Sequence, residues 1–245
     1  MSFQVYSSVD RLLGWLMPPR CVLCRGPGQR PRLDLCRSCA DELPWILRPC
    51  RRCGMPTETM PSPPRPAEGC AHCSATPLPF RRCFAPFLYE FPLSQMILDL
   101  KYEAALANAR VLGTLLGSAI VRQQMGAAVD VIVPMPLHVE RRVERGFNQS
   151  HEIGRFAALL VGLPCEPELL RRARATRPQV GLARAERIEN LRGAFRAEAR
   201  GIKGRRVALL DDVVTTGSTA AEAASALLAA GAAAVDVWAV ARAPG

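Results

Sequence analysis

Four cysteine pairs with the spacing Cys-x-x-Cys lie within the first third of this 245-residue chain. Each such knuckle turns two thiolates toward one point, and two knuckles complete the tetrahedral four-thiolate arrangement of a structural zinc site. Eight ligands therefore predict two structural Zn2+ ions. The predicted ligands are Cys21, Cys24, Cys36, Cys39, Cys50, Cys53, Cys70 and Cys73.

Two ways of combining the knuckles are open. Sequential pairing closes the shorter loops and therefore costs less chain entropy, whereas an interleaved arrangement is compatible with the same spacing. A thioredoxin-like redox pair is the competing interpretation, but it requires one pair at the head of a helix within a βαβ unit. Here four pairs lie in proline-rich sequence. We therefore interpret residues 1–82 as an N-terminal helix and a double zinc ribbon.

The composition predicts a protein without membrane insertion. Hydrophobic residues make up 49% of the chain, but no run reaches the roughly eighteen apolar residues that a spanning helix needs. The N-terminal segment contains Asp10 and Arg11 where a secretion signal has its apolar core. We therefore expect a cytoplasmic protein, in which paired cysteines indicate metal or redox chemistry instead of disulfides.

Positive charge is concentrated in one part of the chain. Residues 141–206 hold 16 basic and 7 acidic side chains, and all but two of the 32 basic residues of the protein are arginine. The planar guanidinium suits phosphate oxygens, so a polyanionic ligand is expected near this segment. A GC-rich coding bias would explain the excess of arginine but not its clustering. The stretch over residues 171–184 is also compatible with a solvated surface.

From residue 84 onward the pattern changes to strands and helices. The first predicted elements are a strand over 84–91, a helix that Ser94 caps and that continues through Leu106, a helix over 111–124, a strand over 129–133 and a helix over 156–161. The later ones are a strand over 206–210, a loop over 211–218, a helix over 219–230 and a strand over 234–241. Strand, loop, helix and strand form a βαβ unit, which predicts an α/β domain with a mostly parallel sheet.

The strongest chemical signal follows the strand at 206–210. Asp211 and Asp212 are two adjacent carboxylates at the end of a buried strand, where they can accept hydrogen bonds from two vicinal ribose hydroxyls. The next residues supply hydroxyls, a glycine and the free amides of a helix start, which together suit a phosphate. These residues are Thr215, Thr216, Gly217, Ser218 and Thr219. Recognition of a diol and a phosphate side by side predicts a ribose 5-phosphate ligand.

The sequence Leu-Leu-Asp-Asp-Val-Val-Thr-Thr-Gly-Ser-Thr at 209–219 resembles the 5-phosphoribosyl-1-pyrophosphate (PRPP) signature of type I phosphoribosyltransferases, which have a Rossmann-like α/β fold. The resemblance implies that the acid pair holds the ribose diol, that the loop cradles the 5-phosphate, and that Mg2+ binds with PRPP. It also implies a pyrophosphate loop after an earlier strand, with backbone amides of Met135 and Leu137 as donors. The residues at that place are Pro134, Met135, Pro136 and Leu137.

Further motifs follow one another as they do in the ComF family of competence proteins. They are Pro-Met-Pro-Leu-His at 134–138, Arg-Gly-Phe-Asn-Gln at 145–149, Arg-x-Arg-x-Thr-x-x-Gln at 172–179, Glu-Arg-x-x-Asn at 186–190 and Gly-Ala-Phe at 193–195. The resemblance covers essentially the whole chain; Met135 stands where the family often has valine. It implies a double zinc ribbon before a phosphoribosyltransferase-like domain over residues 83–245. The implied basic or acceptor region contains Arg145, Asn148, Gln149 and Arg187.

Two functions are compatible with these patterns. The first is transfer of a phosphoribosyl group from PRPP to an unknown acceptor, with a role in DNA uptake and natural transformation. The second is a non-catalytic accessory protein that handles single-stranded DNA and binds PRPP or a nucleotide only as a ligand. Single-stranded DNA and other DNA-uptake proteins are the partners that the resemblance implies. No residue in the sequence identifies the acceptor or a catalytic group.

Overall fold

The computed structural model describes residues 19–29, 33–57, 70, 73, 78–174 and 193–244. The strands are β1 Cys83–Phe84, β2 Phe87–Leu88, β3 Val131–Pro134, β4 Leu170–Arg172, β5 Phe195–Ala197, β6 Arg206–Val214 and β7 Ala234–Arg242. The helices are α1 Arg37–Asp41, α2 Leu93–Tyr102, α3 Leu106–Arg122, α4 Val139–Arg145, α5 Gln149–Val161, α6 Ala199–Ile202 and α7 Ser218–Ala229. Short 3-10 turns cover Gly126–Ala128 and Pro167–Leu169. Within the described ranges, no helix combines the length and the apolar character needed to cross a bilayer.

The main sheet is parallel and has the strand order β1, β7, β6, β3, with β2 pairing farther along β7. The strands β4 and β5 form a separate antiparallel pair. Because neighbouring strands of the main sheet run in the same direction, the carboxyl ends of β3, β6 and β7 meet at one edge. The expectation of an α/β domain with a mostly parallel sheet is confirmed.

Both faces of the central strand β6 are covered. Ala208 and Leu210 pack with α3 and α5, whereas Val207 and Leu209 pack with apolar residues of α7. Successive side chains of a strand point to opposite faces, so a strand between two helical layers needs an uninterrupted apolar run. The residues before Asp211 supply this run.

The helices α3 and α5 approach each other closely because α3 carries glycine at the contact. A Cβ atom placed on Gly113 would lie 2.4 Å from the carbonyl oxygen of Ile153, and one on Gly117 would lie 3.1 Å from Ala157 Cα. This approach brings α5 against the same face of the sheet as α3. The start of α5 thereby comes to the carboxyl edge of β6.

Polar contacts join the segment before β1 to β7. The carboxylate of Asp236 is fully buried and accepts hydrogen bonds from Arg81 at 2.9 Å and 3.1 Å and from Arg82 at 2.9 Å. On the other side, the ring of Trp45 lies 4.2 Å from that of Phe87 in β2. These contacts hold the cysteine-rich segment and the residues after it against the parallel sheet.

Several element boundaries differ from those expected. The strand β6 continues to Val214, because β7 runs beside it as far as Arg242, so Asp211 and Asp212 lie within the strand and not in a loop. The first long helix begins at Leu93 and Ser94 does not cap it. It ends at Tyr102, and Leu106 starts α3 after Ala104, whose φ of 52° interrupts the helical backbone.

The helix α4 and the strands β4 and β5 had no prediction from the sequence, and α5 is longer than predicted. The helix α4 follows His138, whose side chain accepts a hydrogen bond from the amide of Glu140 at 3.4 Å. The helix α5 begins at Gln149, earlier than the expected range 156–161, because Asn148 caps it. The strands β4 and β5 pair across the arginine-rich region.

Candidate functional site

The cysteine pairs gather into two clusters in chain order. One consists of Cys21, Cys24, Cys36 and Cys39, and the other of Cys50, Cys53, Cys70 and Cys73. In each cluster the four sulfur atoms lie within 4.8 Å of one another. Sulfur atoms are separated by 3.7 Å between Cys24 and Cys36 and by 3.5 Å between Cys53 and Cys70. Tetrahedral zinc with bonds of about 2.3 Å separates its sulfur ligands by about 3.8 Å, so the donor sets fit two structural zinc ions.

Local backbone geometry fixes the knuckles. In the second cluster, the amide of Gly54 donates to the carbonyl oxygen of Cys50 at 2.9 Å, and Gly54 has a φ of 72° that favours glycine. In the first cluster, Cys36 stands directly before α1 and its sulfur accepts a hydrogen bond from the amide of Cys39 at 3.5 Å. The turn that closes each knuckle is thus encoded by residues next to the ligands.

The acid pair lies at the carboxyl half of β6. Asp212 is buried and its carboxylate forms an ion pair with Lys101 of α2. One oxygen of Asp211 accepts hydrogen bonds from the hydroxyl of Ser150 at 3.0 Å and from the amide of Asp212 at 2.9 Å. Residues from α2, α5 and β6 therefore converge on two adjacent carboxyl groups.

The pKa values of the two carboxyl groups are shifted in opposite directions. Burial raises the pKa of Asp211 well above its usual value, and the neighbouring carboxylate of Asp212 raises it further. Burial also opposes ionisation of Asp212, but the ammonium of Lys101 outweighs this effect and lowers the pKa of Asp212. Asp211 is therefore the carboxyl group of the pair that binds a proton more readily, and Lys101 stabilises the negative charge of Asp212.

The loop after β6 leads directly into α7. Gly217 precedes the helix with a φ of 82°, a backbone conformation that favours glycine. The hydroxyl groups of Thr216 and Ser218 lie 3.0 Å apart, and Thr215 is exposed. Thr219 lies half-buried in the first turn of the helix. The loop thus places hydroxyl groups and helix amides beside the acid pair, where an anion can bind.

The loop after β3 lies beside this site. The amide of Met135 donates to the carbonyl oxygen of Leu210 at 2.7 Å, which continues the pairing of β3 with β6. This amide is therefore engaged in the sheet, and its binding of pyrophosphate stays a prediction. Among the described contacts the amide of Leu137 is not engaged in this way, whereas Pro134 and Pro136 have no amide hydrogen.

Asn148 joins the β3 loop to α5. Its side-chain amide donates to the carbonyl oxygen of Met135 at 3.0 Å, while its oxygen accepts hydrogen bonds from the amides of Ser150 at 3.0 Å and His151 at 3.4 Å. Asn148 therefore fixes the loop and the start of α5 together. It also places Ser150 where it contacts Asp211.

Arg145 and Gln149 lie next to each other at the junction of α4 and α5. The guanidinium of Arg145 donates to the side-chain oxygen of Gln149 at 2.6 Å and lies 5.6 Å from the centre of the Tyr102 ring. Tyr102 directly follows Lys101, so Arg145 contacts the helix α2, whose Lys101 forms the ion pair with Asp212. Arg187 lies outside the described residues.

A cavity of about 690 Å³ opens beside the β3 loop. Pro136 and Leu137 of the loop line it, together with Asn148 and with basic side chains that include Arg142 and Arg172. Burial lowers the pKa of Arg172, but a guanidinium remains charged at neutral pH. The lining also includes Arg171, Glu152 and Glu168, so arginine exceeds glutamate by one side chain. Asn148 connects this cavity with the start of α5, where Ser150 contacts Asp211.

Sequence reasoning missed three residues of this region. Lys101 and Ser150 contact the acid pair, and Arg242 binds the backbone of the loop after β6. One signal was available for Lys101, since it is one of two lysines among 32 basic residues. A flexible ammonium instead of the usual arginine marks a position where a compact point charge is needed.

Comparison with known proteins finds a family for the cysteine-rich segment and relatives of the chain as a whole. The double zinc ribbon domain family matches residues 12–75. The glutamine phosphoribosylpyrophosphate amidotransferase from B. subtilis, in complex with ADP and GMP, is 23% identical over 54% of this chain with a TM-score of 0.37. That match spans about a quarter of the enzyme, at 26% of its chain.

Three relatives align with nearly their whole length. The DNA utilization protein YhgH of Salmonella typhimurium is 37% identical over 92% of this chain and 98% of its own, and that of Escherichia coli K12 is 35% identical over the same shares. Competence protein F of Haemophilus influenzae is 29% identical over 91% of this chain and 97% of its own. The chain therefore belongs to the ComF family, which includes DNA utilization protein YhgH and competence protein F.

Proposed function

We propose that this protein binds PRPP at the carboxyl edge of β6. Asp211 and Asp212 bind the ribose hydroxyls, and the residues from Thr215 to Thr219 bind the 5-phosphate. The observation that carries the proposal is the position of the acid pair, buried beside an ionised Lys101 and directly before a loop of hydroxyl groups and helix amides. A ribose phosphate requires both functions within a few residues.

The two carboxyl groups suit a diol. The carboxylate of Asp212 accepts a hydrogen bond from one ribose hydroxyl. The carboxyl group of Asp211 has a second oxygen for the other hydroxyl while the first keeps its contact with Ser150. In this arrangement no buried carboxylate is left without a partner.

Pyrophosphate and its metal would lie toward the β3 loop. Mg2+ usually binds one or two carboxylates together with substrate phosphates, and the acid pair supplies carboxyl oxygens at the proper edge of the sheet. The amide of Leu137 and the basic residues of the cavity, Arg142 and Arg172, lie on the side where the pyrophosphate would extend. Bound magnesium would supply charge neutralisation for the pyrophosphate, and these residues would orient it.

Phosphoribosyl transfer to an acceptor is the reaction that this arrangement would support. The acceptor attacks C1 of the ribose, the C1–oxygen bond breaks, and pyrophosphate leaves with the bonding electron pair. The residues named above would position the reactants and stabilise the charge of the leaving group. The acceptor would occupy the space that the cavity offers next to Asn148.

A non-catalytic role with single-stranded DNA is the second candidate. The basic cavity favours it, since arginine side chains at the mouth of a site also bind the phosphates of a nucleic acid. The names of the relatives, DNA utilization protein and competence protein F, favour it as well. In both functions the protein would act in the cytoplasm, and the division between the zinc ribbon and the second domain would lie between residues 82 and 83.

Titration calorimetry with PRPP and Mg2+ tests the binding site. Asp212→Asn should weaken PRPP binding about tenfold or more, since a charge-assisted hydrogen bond contributes about 1.5–3 kcal/mol, and Asp211→Ala, which removes the carboxyl group, should weaken it as well. The matched control is Asp130→Asn at the opposite edge of the sheet, where Asp130 pairs with Arg206. Equal affinities for all three variants and the unchanged protein would rule out the proposed site.

A second assay separates the two functions. Release of pyrophosphate from PRPP is measured across a panel of nucleobases and related acceptors. Turnover with any acceptor supports phosphoribosyl transfer. PRPP binding without turnover, together with an affinity for single-stranded DNA that falls steeply with salt, supports the accessory role.

A further inference from the structure

Arg242 at the end of β7 connects the second cysteine cluster with the loop after β6. The residue is 2% exposed. Its guanidinium donates to the carbonyl oxygen of Cys53 at 3.1 Å, and its other hydrogen bonds go to backbone carbonyl oxygens at the end of β6 and β7. These acceptors are Val214 at 3.0 Å, Thr215, and Ala243 at 3.1 Å.

The cluster end of this connection is firmly placed. Cys53 is a ligand position of the second cluster, and Gly54 beside it packs against Cys83, where a Cβ atom placed on Gly54 would lie 3.2 Å from the Cys83 carbonyl oxygen. The amide of Cys83 donates to the carbonyl oxygen of Arg52 at 2.9 Å. The knuckle of Cys50 and Cys53 therefore rests on the first strand of the parallel sheet.

The other end of this connection is the start of the loop proposed to bind phosphate. Val214 and Thr215 are the last residue of β6 and the first of the loop, and both direct their carbonyl oxygens at the same guanidinium nitrogen. The carbonyl oxygen of Val214 also accepts from the amide of Ala243 at 2.9 Å. Fixing these two carbonyl groups fixes the direction in which the chain turns toward Gly217 and α7.

A buried guanidinium needs compensation for its charge. In the described part of the chain Arg242 forms no ion pair with a carboxylate, and its hydrogen bonds end on carbonyl oxygens. A zinc ion with four thiolates carries a net negative charge, so the loaded second cluster supplies the opposite charge close to Arg242. Among the side chains only arginine offers enough donors, in a fixed planar arrangement, to bind the Cys53 carbonyl oxygen and the carbonyl oxygens of the loop at the same time.

We infer that Arg242 is a positioning residue for the loop after β6 and that the metal-loaded second cluster holds Arg242 in place. Loss of metal from this cluster then loosens the loop, whereas loss of metal from the first cluster does not. The inference rests on the proposed function for the meaning of the loop as a phosphate site. The physical connection is independent of which ligand binds there.

Hydrogen exchange of the full-length zinc-loaded protein tests the connection. The reporters are the amides of Ala243, which donates to Val214, and of Ala221, which donates to the carbonyl oxygen of Gly217 at 2.8 Å. In Arg242→Lys, exchange at both should rise about fivefold or more, because hydrogen bonds worth about 1 kcal/mol each are lost. In the matched control Arg206→Lys at the other end of β6, it should stay unchanged. Unchanged exchange in Arg242→Lys overturns the inference.

The role of the metal is tested by a pair of cysteine variants. Cys70→Ser disrupts the second cluster and should raise exchange at the same two amides, whereas Cys36→Ser in the first cluster should not. Equal effects of both variants, or faster exchange throughout α3 as well, overturn the role of the second cluster. If Cys70→Ser does not fold, Arg242→Lys still tests whether Arg242 positions the loop after β6.

PRPP affinity of the same variants separates this inference from the proposed function. Weaker PRPP binding in Arg242→Lys, together with faster exchange, supports both. If the exchange results hold but the unchanged protein binds no PRPP, the proposed function fails and the positioning role of Arg242 stands. PRPP binding that is unaffected in Arg242→Lys, despite faster exchange, overturns the link between the loop geometry and the ligand.

Discussion

Replacement of Lys101 by methionine removes the cation that balances the acid pair while it keeps a side chain of similar length. The side chain of Lys101 is 20% exposed and that of Asp212 only 6% exposed. Removal of one partner from a buried ion pair costs about 3–5 kcal/mol, because the remaining charge is left uncompensated. We expect a loss at the lower end of this range, since Asp212 can take up a proton.

The loss should depend on pH. In the unchanged protein the pKa of Asp212 is lowered, so its contribution to stability is full above the usual carboxyl pKa and is lost only as the pH falls through the lowered value. In Lys101→Met, burial and the neighbour Asp211 act alone and raise the pKa of Asp212. Its contribution is then present at low pH and lost as the pH rises. The destabilisation should therefore be larger near pH 8.5 than near pH 6.

Urea unfolding at the two pH values measures this difference. The matched control is Lys203→Met, which removes the other lysine of the chain from an exposed position and should change stability by less than about 0.5 kcal/mol. Because both variants keep the cysteine clusters, any effect of pH on metal binding is common to them. A destabilisation by Lys101→Met that is the same at both pH values would falsify the assignment of Lys101 as the counter-charge of the acid pair.

Three further predictions concern the metal clusters and the packing. Metal analysis should find about two zinc ions per chain, and acidification or a strong chelator should release them together with a loss of stability; a value near zero contradicts the zinc assignment. Gly113→Ala should lower the urea midpoint, because the new Cβ would clash with the carbonyl oxygen of Ile153. The clash outweighs the higher helix propensity of alanine, which is worth about 1 kcal/mol, and a higher midpoint would contradict the close helix contact. Asp236→Asn should destabilise the protein by about 2 kcal/mol in thermal or urea unfolding, since Arg81 and Arg82 lose their shared carboxylate but are partly exposed; an unchanged midpoint is the contrary result.

Features that depend on neighbouring residues could be predicted from the sequence. The zinc ligands follow from the spacing within each pair, and the strands β3, β6 and β7 follow from apolar runs bounded by prolines or polar residues. The acid pair and the loop after it are consecutive in sequence, so their proximity required no knowledge of the fold. The sequential grouping of the cysteines was favoured by loop length, and the structure has that grouping.

Features that depend on pairing of distant elements could not be predicted. Lys101 contacts Asp212 and Ser150 contacts Asp211 only because α2 and α5 pack on the same face of the sheet, next to the carboxyl end of β6. The engagement of the Met135 amide required the register of β3 with β6. The sequence of β4, where the arginine-rich stretch begins, also gave no strand signal, since its pairing with β5 spans many residues.

The strand β7 explains why a zinc ribbon and a parallel sheet act as one unit in this chain. Near its amino end Asp236 binds Arg81 and Arg82, and at its carboxyl end Arg242 binds the carbonyl oxygen of Cys53. Both charged side chains are buried, and each has a partner in the cysteine-rich segment or directly after it. Undocking would remove Arg81 and Arg82 from the buried carboxylate of Asp236 and the Cys53 carbonyl oxygen from Arg242, a cost that opposes separation. The cysteine-rich segment is therefore packed against the strand that supports the loop after β6, and the positioning role inferred for Arg242 would make this loop depend on the metal content of the second cluster.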